Sequence, residues 1–133
     1  ITISNYSLQH IPHLKEIQID LNKNIPLPDN IFDIIICREV IEHLESVPHT
    51  LREFNRILKP GGKLILTFPN RLQIRSRFYY LLCGFYRGMK SPINLDVPFG
   101  EAHINLIGYP EMDYFLRKTN FDVTHVQSSY FQK

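Results

Sequence analysis

The sequence has no apolar run near the roughly 20 residues that a membrane-spanning helix needs, so no spanning helix is expected. No stretch reads as a secretory leader. Cysteine is scarce: Cys37 and Cys83 stand alone, without the C-x-x-C spacing of a metal knuckle, and do not make a disulfide framework. Two scattered thiols fit a reducing compartment, and a cytoplasmic location is expected. Charge of one sign is lacking too. A formal net charge of +2 excludes polyanion binding by bulk charge, and no DNA partner is expected. Low-complexity tracts and internal repeats are absent. The chain opens on Ile1 rather than Met, as expected of a trimmed, processed or partial sequence.

What is present is ordinary globular material over 133 residues, 44% hydrophobic and 21% charged, enough for one domain. Strand-like and helix-like segments alternate, which predicts an α/β fold with a mostly parallel sheet. Residues 16–19 alternate as a short strand, and a loop with Pro26 and Pro28 follows. Residues 32–37 form a continuous apolar run, expected of a strand whose two faces are both covered. A short helical stretch is expected over 38–44. Ser46 reads as an N-cap for a helix through Leu58, with Val47, Leu51, Phe54 and Ile57 as its buried stripe. Pro60-Gly61-Gly62 reads as the stop of that helix. Residues 64–68 predict the next buried strand, parallel to 32–37 and joined to it by the helical crossover. A basic, aromatic helix is expected over 71–88, a loop over 91–100, and a last helix over 111–118 with Met112, Phe115 and Leu116 inward. Asn120 reads as a left-handed C-cap before a final strand over 121–127.

Five of these pieces, in order and at the right spacing, resemble the class I S-adenosylmethionine-dependent methyltransferases, in particular their type 11 group. They are Ile19-Asp20 to Leu27-Pro28-Asp29, Phe32 to Cys37, Glu39 to Leu44, Leu58 to Leu64, and Phe68-Pro69-Asn70. The stretch from His103 to Phe121 resembles the family's last helix and strand. The resemblance implies a Rossmann-like, doubly wound sheet with the cofactor across the carboxyl ends of its strands. The family's first strand ends in a glycine-rich turn. None of the six glycines here makes that turn, so residues 1–133 read as the C-terminal part of the domain, with the glycine-loop strand expected upstream. The resemblance aligns Thr2 with the position that usually carries the ribose-binding carboxylate.

The resemblance also implies site residues. Asp20 would accept from the adenine amine, with the backbone of Leu21 on the ring edge, although Asp20 equally suits capping of its own loop. The backbone of Cys37 and Arg38 would line the methionine portion. Asp20 and the end of the 32–37 strand are therefore expected to face one cleft. Asp33, at the far end of that strand, is read as structural. His43 and His103 are the reasonable general bases, in a reaction that mainly needs in-line positioning.

Glu39, Glu42 and His43 would share one helix face at i, i+3 and i+4. Together with His103 they resemble the ligand set of metal-dependent small-RNA 2′-O-methyltransferases and of ubiquinone-pathway O-methyltransferases. Many metal-free type 11 relatives also carry Glu-His-Leu here. The expectation is no metal, with His103 not arriving to close a site. Residues 71–100 would be an insertion or lid over the acceptor site. Arg71, Arg75, Arg77, Arg87 and Lys90, without an acid and interleaved with aromatics, suit an anionic or lipid-linked acceptor, or peripheral membrane contact through 71–90. The expected function is methyl transfer to oxygen of a small-molecule, sugar or lipid-linked acceptor. A non-catalytic remnant and a metal-dependent RNA 2′-O-methyltransferase are the alternatives, with RNA the less favoured partner.

Overall fold

The computed structural model describes residues 17–86 and 103–128. Within them strand β1 (Phe32–Arg38) leads through a 3-10 turn (Ile41–His43) to helix α1 (Val47–Ile57). Strand β2 (Leu58–Thr67) and helices α2 (Ile74–Cys83) and α3 (Tyr109–Lys118) follow. β1 and β2 pair in parallel as a two-stranded sheet, with Ile35 opposite Leu64 and Cys37 opposite Leu66. This is the expected β-α-β unit: two apolar runs, isoleucine-rich in β1 and leucine-rich in β2, joined by a helix that needs a sheet to cover its own apolar stripe.

α1 has that stripe. Val47, Leu51, Phe54 and Ile57 are all buried, and Thr50 joins them, at the three- and four-residue spacing of one helix face. Ser46 stands at the N-cap, but its hydroxyl makes no capping bond. The first turn is held instead by the amides of His49 and Thr50, which both donate to the Ser46 carbonyl. Around α1 the core gathers Ile19, Ile25, Cys37, Ile41, Leu44, Ile107 and Met112.

Several sequence expectations give way. Residues 17–20 are not a strand, because their backbone lacks a ladder partner among the described residues and is bent into a turn at Leu21. Pro60-Gly61-Gly62 does not stop α1. The helix ends at Ile57, and these residues lie inside β2. Between Phe32↔Leu58 and Ile34↔Lys63 the register slips, so the four residues 59–62 of β2 lie opposite Asp33 alone. Gly61 takes a left-handed φ of 78° to let that excess bulge out. Lys59 bridges back across the bulge to both Asp33 oxygens at 2.9 Å, an exposed ion pair at the end of β1 away from the site.

Only one face of the strand pair is covered among the described residues. Ile35, Cys37, Leu64 and Leu66 turn to the core, while Ile34, Ile36 and Ile65 are at least half exposed. α3 starts at Tyr109, earlier than expected, because the Glu111 carboxylate accepts from the Gly108 amide and secures the first turn. Its end is as expected: Asn120 has a φ of 63°, and the Phe121 amide closes on the Leu116 carbonyl. Residues 121–128 then run without regular structure, so the final strand is not formed among the described residues. The expected loop over 91–100, and Thr2, lie outside them.

Candidate functional site

The site grows from the carboxyl end of β1. One residue beyond the strand, Glu39 adopts a left-handed φ of 50°, a costly conformation for a residue with a Cβ. The neighbouring strand supports it. The Glu39 amide donates to the Thr67 carbonyl at 3.1 Å and to its hydroxyl at 3.2 Å. The Thr67 hydroxyl in turn donates to Glu39 Oε1 at 2.9 Å. The expected helix over 38–44 is thereby reduced to the 3-10 turn, and Glu39 no longer shares a face with Glu42 and His43. Nothing in the local sequence announces Thr67 as its partner.

The left-handed step sends the chain down into the core. Ile41 is fully buried and Glu42 is 3% exposed. The Glu42 carbonyl accepts from the amides of both Ile104 and Asn105, at 2.9 and 3.0 Å. The Asn105 side-chain amide also donates to the Leu44 carbonyl. This two-point backbone clamp carries His103 to His43, their rings meeting edge-on with centroids 4.8 Å apart. His103 therefore does arrive, against expectation. One ligand-type atom each from Glu42, His43 and His103 lies within 4.8 Å of the others. Burial pushes the Glu42 carboxyl above the usual carboxylate range, and the nearby Glu39 charge adds to this, while the two imidazoles act against it. Its Oε2 is buried without a hydrogen-bond partner. A cavity of about 60 Å³ adjoins, lined by Glu42, His103, Asn70, Arg71 and Gln73 among others.

Cys37 is buried beneath this turn. Its thiol is pushed up to about 12 by desolvation and then by the Glu42 charge, so it stays protonated and is no nucleophile. Arg38 lies exposed at the strand end.

Asp20 is exposed and does cap its own loop. Its Oδ1 accepts from the Asn22 amide at 3.0 Å, and Lys23 stands 3.3 Å from Oδ2. The Asn22 hydrogen bond, first among these, holds the Asp20 carboxyl below its ordinary value. The loop is tied to the chain that follows β1: Glu45 N–H donates to Asn22 Oδ1 at 2.8 Å, and the Thr50 hydroxyl donates to the Leu21 carbonyl at 2.9 Å. Further along, Ile25 N–H donates to Glu53 and Arg56 reaches the carbonyls of Ile25 and Leu27. The loop thus runs along α1 from the helix's N-terminal turn towards its C-terminus.

α2 carries the basic aromatic segment. Its side chains are largely exposed, Phe78, Leu81 and Leu82 strongly so, with Ser76 alone fully buried among its described residues. Arg71 pairs with Glu111 and also lines the cavity beside Glu42 and His103.

A parallel β-α-β unit with a left-handed, hydrogen-bonded turn at the strand's carboxyl end is the building unit of α/β folds that bind ligands at that edge. Residues 2–66 match the family described as "Methyltransferase domain". The chain is 30% identical over 99 residues to a "Probable S-adenosylmethionine-dependent methyltransferase" of Mycolicibacterium smegmatis, a match spanning 74% of this chain and 32% of that protein. It is 34% identical over 70 residues to Phosphoethanolamine N-methyltransferase 3 of Arabidopsis thaliana, spanning 50% of this chain and 14% of that one. In structure it is similar to an S-adenosylmethionine-dependent methyltransferase of Thermotoga maritima, with a TM-score of 0.59 at 24% identity, over 81% of this chain and 45% of that one. The chain belongs to the class I S-adenosylmethionine-dependent methyltransferases. It spans about a third or less of the length of these curated relatives.

Proposed function

We propose that the protein carrying this chain transfers a methyl group from S-adenosylmethionine to an oxygen of a small-molecule or lipid-linked acceptor. The observation that carries the reading is the left-handed turn at Glu39. It lies at the carboxyl end of β1, the edge where folds of this kind bind ligands, in a chain that belongs to a cofactor-dependent family. The cofactor supplies a methyl bound to a sulfonium sulfur. Transfer of that methyl to the acceptor oxygen would form the O–C bond as the S–C bond breaks, leaving S-adenosylhomocysteine and one proton from the acceptor.

Four residues would serve the cofactor. Asp20 would accept from the adenine amine beside the Leu21 backbone, and the backbone of Cys37 and Arg38 would flank the methionine portion. A carboxylate has about four lone-pair sites, and the two partners of Asp20 leave room for a further donor. The bonds from Glu45 and Thr50 to the Asn22–Leu21 turn support a position for Asp20 near the N-terminal end of α1, the end adjoining the carboxyl edge of β1. His43 and His103 would take the acceptor's proton, with Glu42 beside them. A small-molecule acceptor is consistent with relatives named for phosphoethanolamine and demethylmenaquinone. Residues 71–100 would cover the acceptor. The apolar exposure of α2 supports such a lid.

The test is calorimetric titration of the whole protein with S-adenosylhomocysteine. Binding is expected, and Asp20→Ala should weaken it about 10-fold, the loss of roughly one charge-assisted hydrogen bond. No binding by the whole protein would overturn the reading, and undiminished binding by the variant would remove Asp20 from it.

A further inference from the structure

We infer that Glu42, His43 and His103 form a two-histidine, one-carboxylate site for a divalent transition-metal ion, from which Glu39 is excluded. The donor set is the first reason. Two imidazoles and one carboxylate suit borderline ions such as Zn²⁺, Co²⁺ or Fe²⁺, and three protein ligands leave coordination positions open.

Geometry is the second. Ligands about 2.1 Å from one ion lie at most about 4.2 Å apart. The three donor atoms already lie within 4.8 Å of one another, so closure asks for only small side-chain rotations. Glu42 Oε1 and His43 Nε2 stand 4.0 Å apart, too far for a hydrogen bond yet right for sharing an ion.

The third reason is an unmet demand. Glu42 is 3% exposed, and its Oε2 has no hydrogen-bond partner. A buried carboxylate oxygen left in that condition is costly, and a cation between it and the imidazoles removes the cost. The backbone is built to hold the arrangement, since the Glu42 carbonyl itself clamps Ile104 and Asn105, next to His103. Glu39 is spent elsewhere, on the Thr67 hydroxyl. The ligand set therefore differs from the i, i+3, i+4 face that the sequence suggests. The adjoining cavity, with Asn70 and Gln73 on its wall, is where an open coordination position would find water or an oxygen ligand. Ion binding does not depend on methyl transfer. Where methyl transfer holds, an ion here would polarise the acceptor oxygen in place of the bare imidazoles acting as bases.

The experiment titrates the whole, metal-stripped and tag-free protein with Co²⁺, reading the visible d–d absorption and the stoichiometry. One ion per chain is expected, with the band of a low-coordinate nitrogen and oxygen site. His103→Ala and Glu42→Gln should each weaken binding at least 10-fold, whereas Glu39→Gln, which removes a neighbouring charge but no ligand, should weaken it distinctly less than either. Circular dichroism and S-adenosylhomocysteine titration of each variant separate lost ligation from lost fold and from failure of the methyltransferase reading. Should Glu42→Gln unfold the protein, His103→Ala, on a partly exposed loop, decides alone. Absence of Co²⁺ binding, or binding that survives His103→Ala, would overturn the inference.

Discussion

The Thr67 hydroxyl donates to Glu39 Oε1 at 2.9 Å while the Glu39 amide donates back to Thr67. This reciprocal pair joins the carboxyl ends of both strands and holds a non-glycine residue at positive φ. Thr67→Val keeps the shape and removes the hydroxyl. It should lower stability by about 0.5–1.5 kcal/mol, the typical net worth of one hydrogen bond. Thr67→Ser should retain most of it. Urea unfolding of the two variants makes the comparison.

Gly62 sits inside the bulge with no room for a side chain. A Cβ there would lie 2.9 Å from the Lys59 carbonyl oxygen and 3.2 Å from that of Asp33. Backbone atoms cannot step aside as a flexible side chain would. Gly62→Ala should therefore cost about 1–3 kcal/mol, seen as a lowered thermal midpoint. A midpoint equal to that of the unaltered protein would show that the bulge gives way freely.

Acid should weaken the anchor between the 20–29 loop and α1. Arg56 bonds both Glu53 oxygens, and Ile25 N–H adds a third bond. The Arg56 bond above all holds the Glu53 carboxyl down at about 2, against an ordinary 4.5. A depressed carboxylate stabilises the fold fully above its unfolded value, and that contribution is lost as pH falls through the folded one. The loss should thus develop between about pH 4.5 and 2. Glu53→Gln should flatten this part of the stability-against-pH curve and cost about 1–3 kcal/mol at neutral pH. An unchanged acid limb in the variant would count against the anchor.

The two thiols should differ sharply in reactivity. Cys83 is exposed, whereas Cys37 is buried with its thiol raised to about 12. Iodoacetamide at mildly alkaline pH should label Cys83 promptly and Cys37 only in step with unfolding. Peptide mass mapping over time reads both, and early labelling of Cys37 would contradict its burial.

By itself the sequence determined what depends on neighbours along the chain. The apolar runs at 32–37 and 64–68 and the stripe of α1 made the parallel unit legible, because hydrophobic periodicity is local information. The left-handed Asn120 was legible for the same reason. Tertiary structure decided what depends on partners distant in sequence. The strand expected over 16–19 has no ladder partner among the described residues, and a strand exists only by pairing. Pro60-Gly61-Gly62 reads as a helix stop until the register against β1 turns it into a bulge. The candidate site shows this most clearly. Residue types pointed to Glu42, His43 and His103, but a helical reading grouped Glu39 with them and left His103 apart. Thr67 diverted Glu39, and the Glu42 carbonyl brought in His103, through hydrogen bonds spanning 28 and about 60 residues of chain. A one-dimensional pattern does not contain such long-range bonds, because they form only once the packed core has set the distance between their groups.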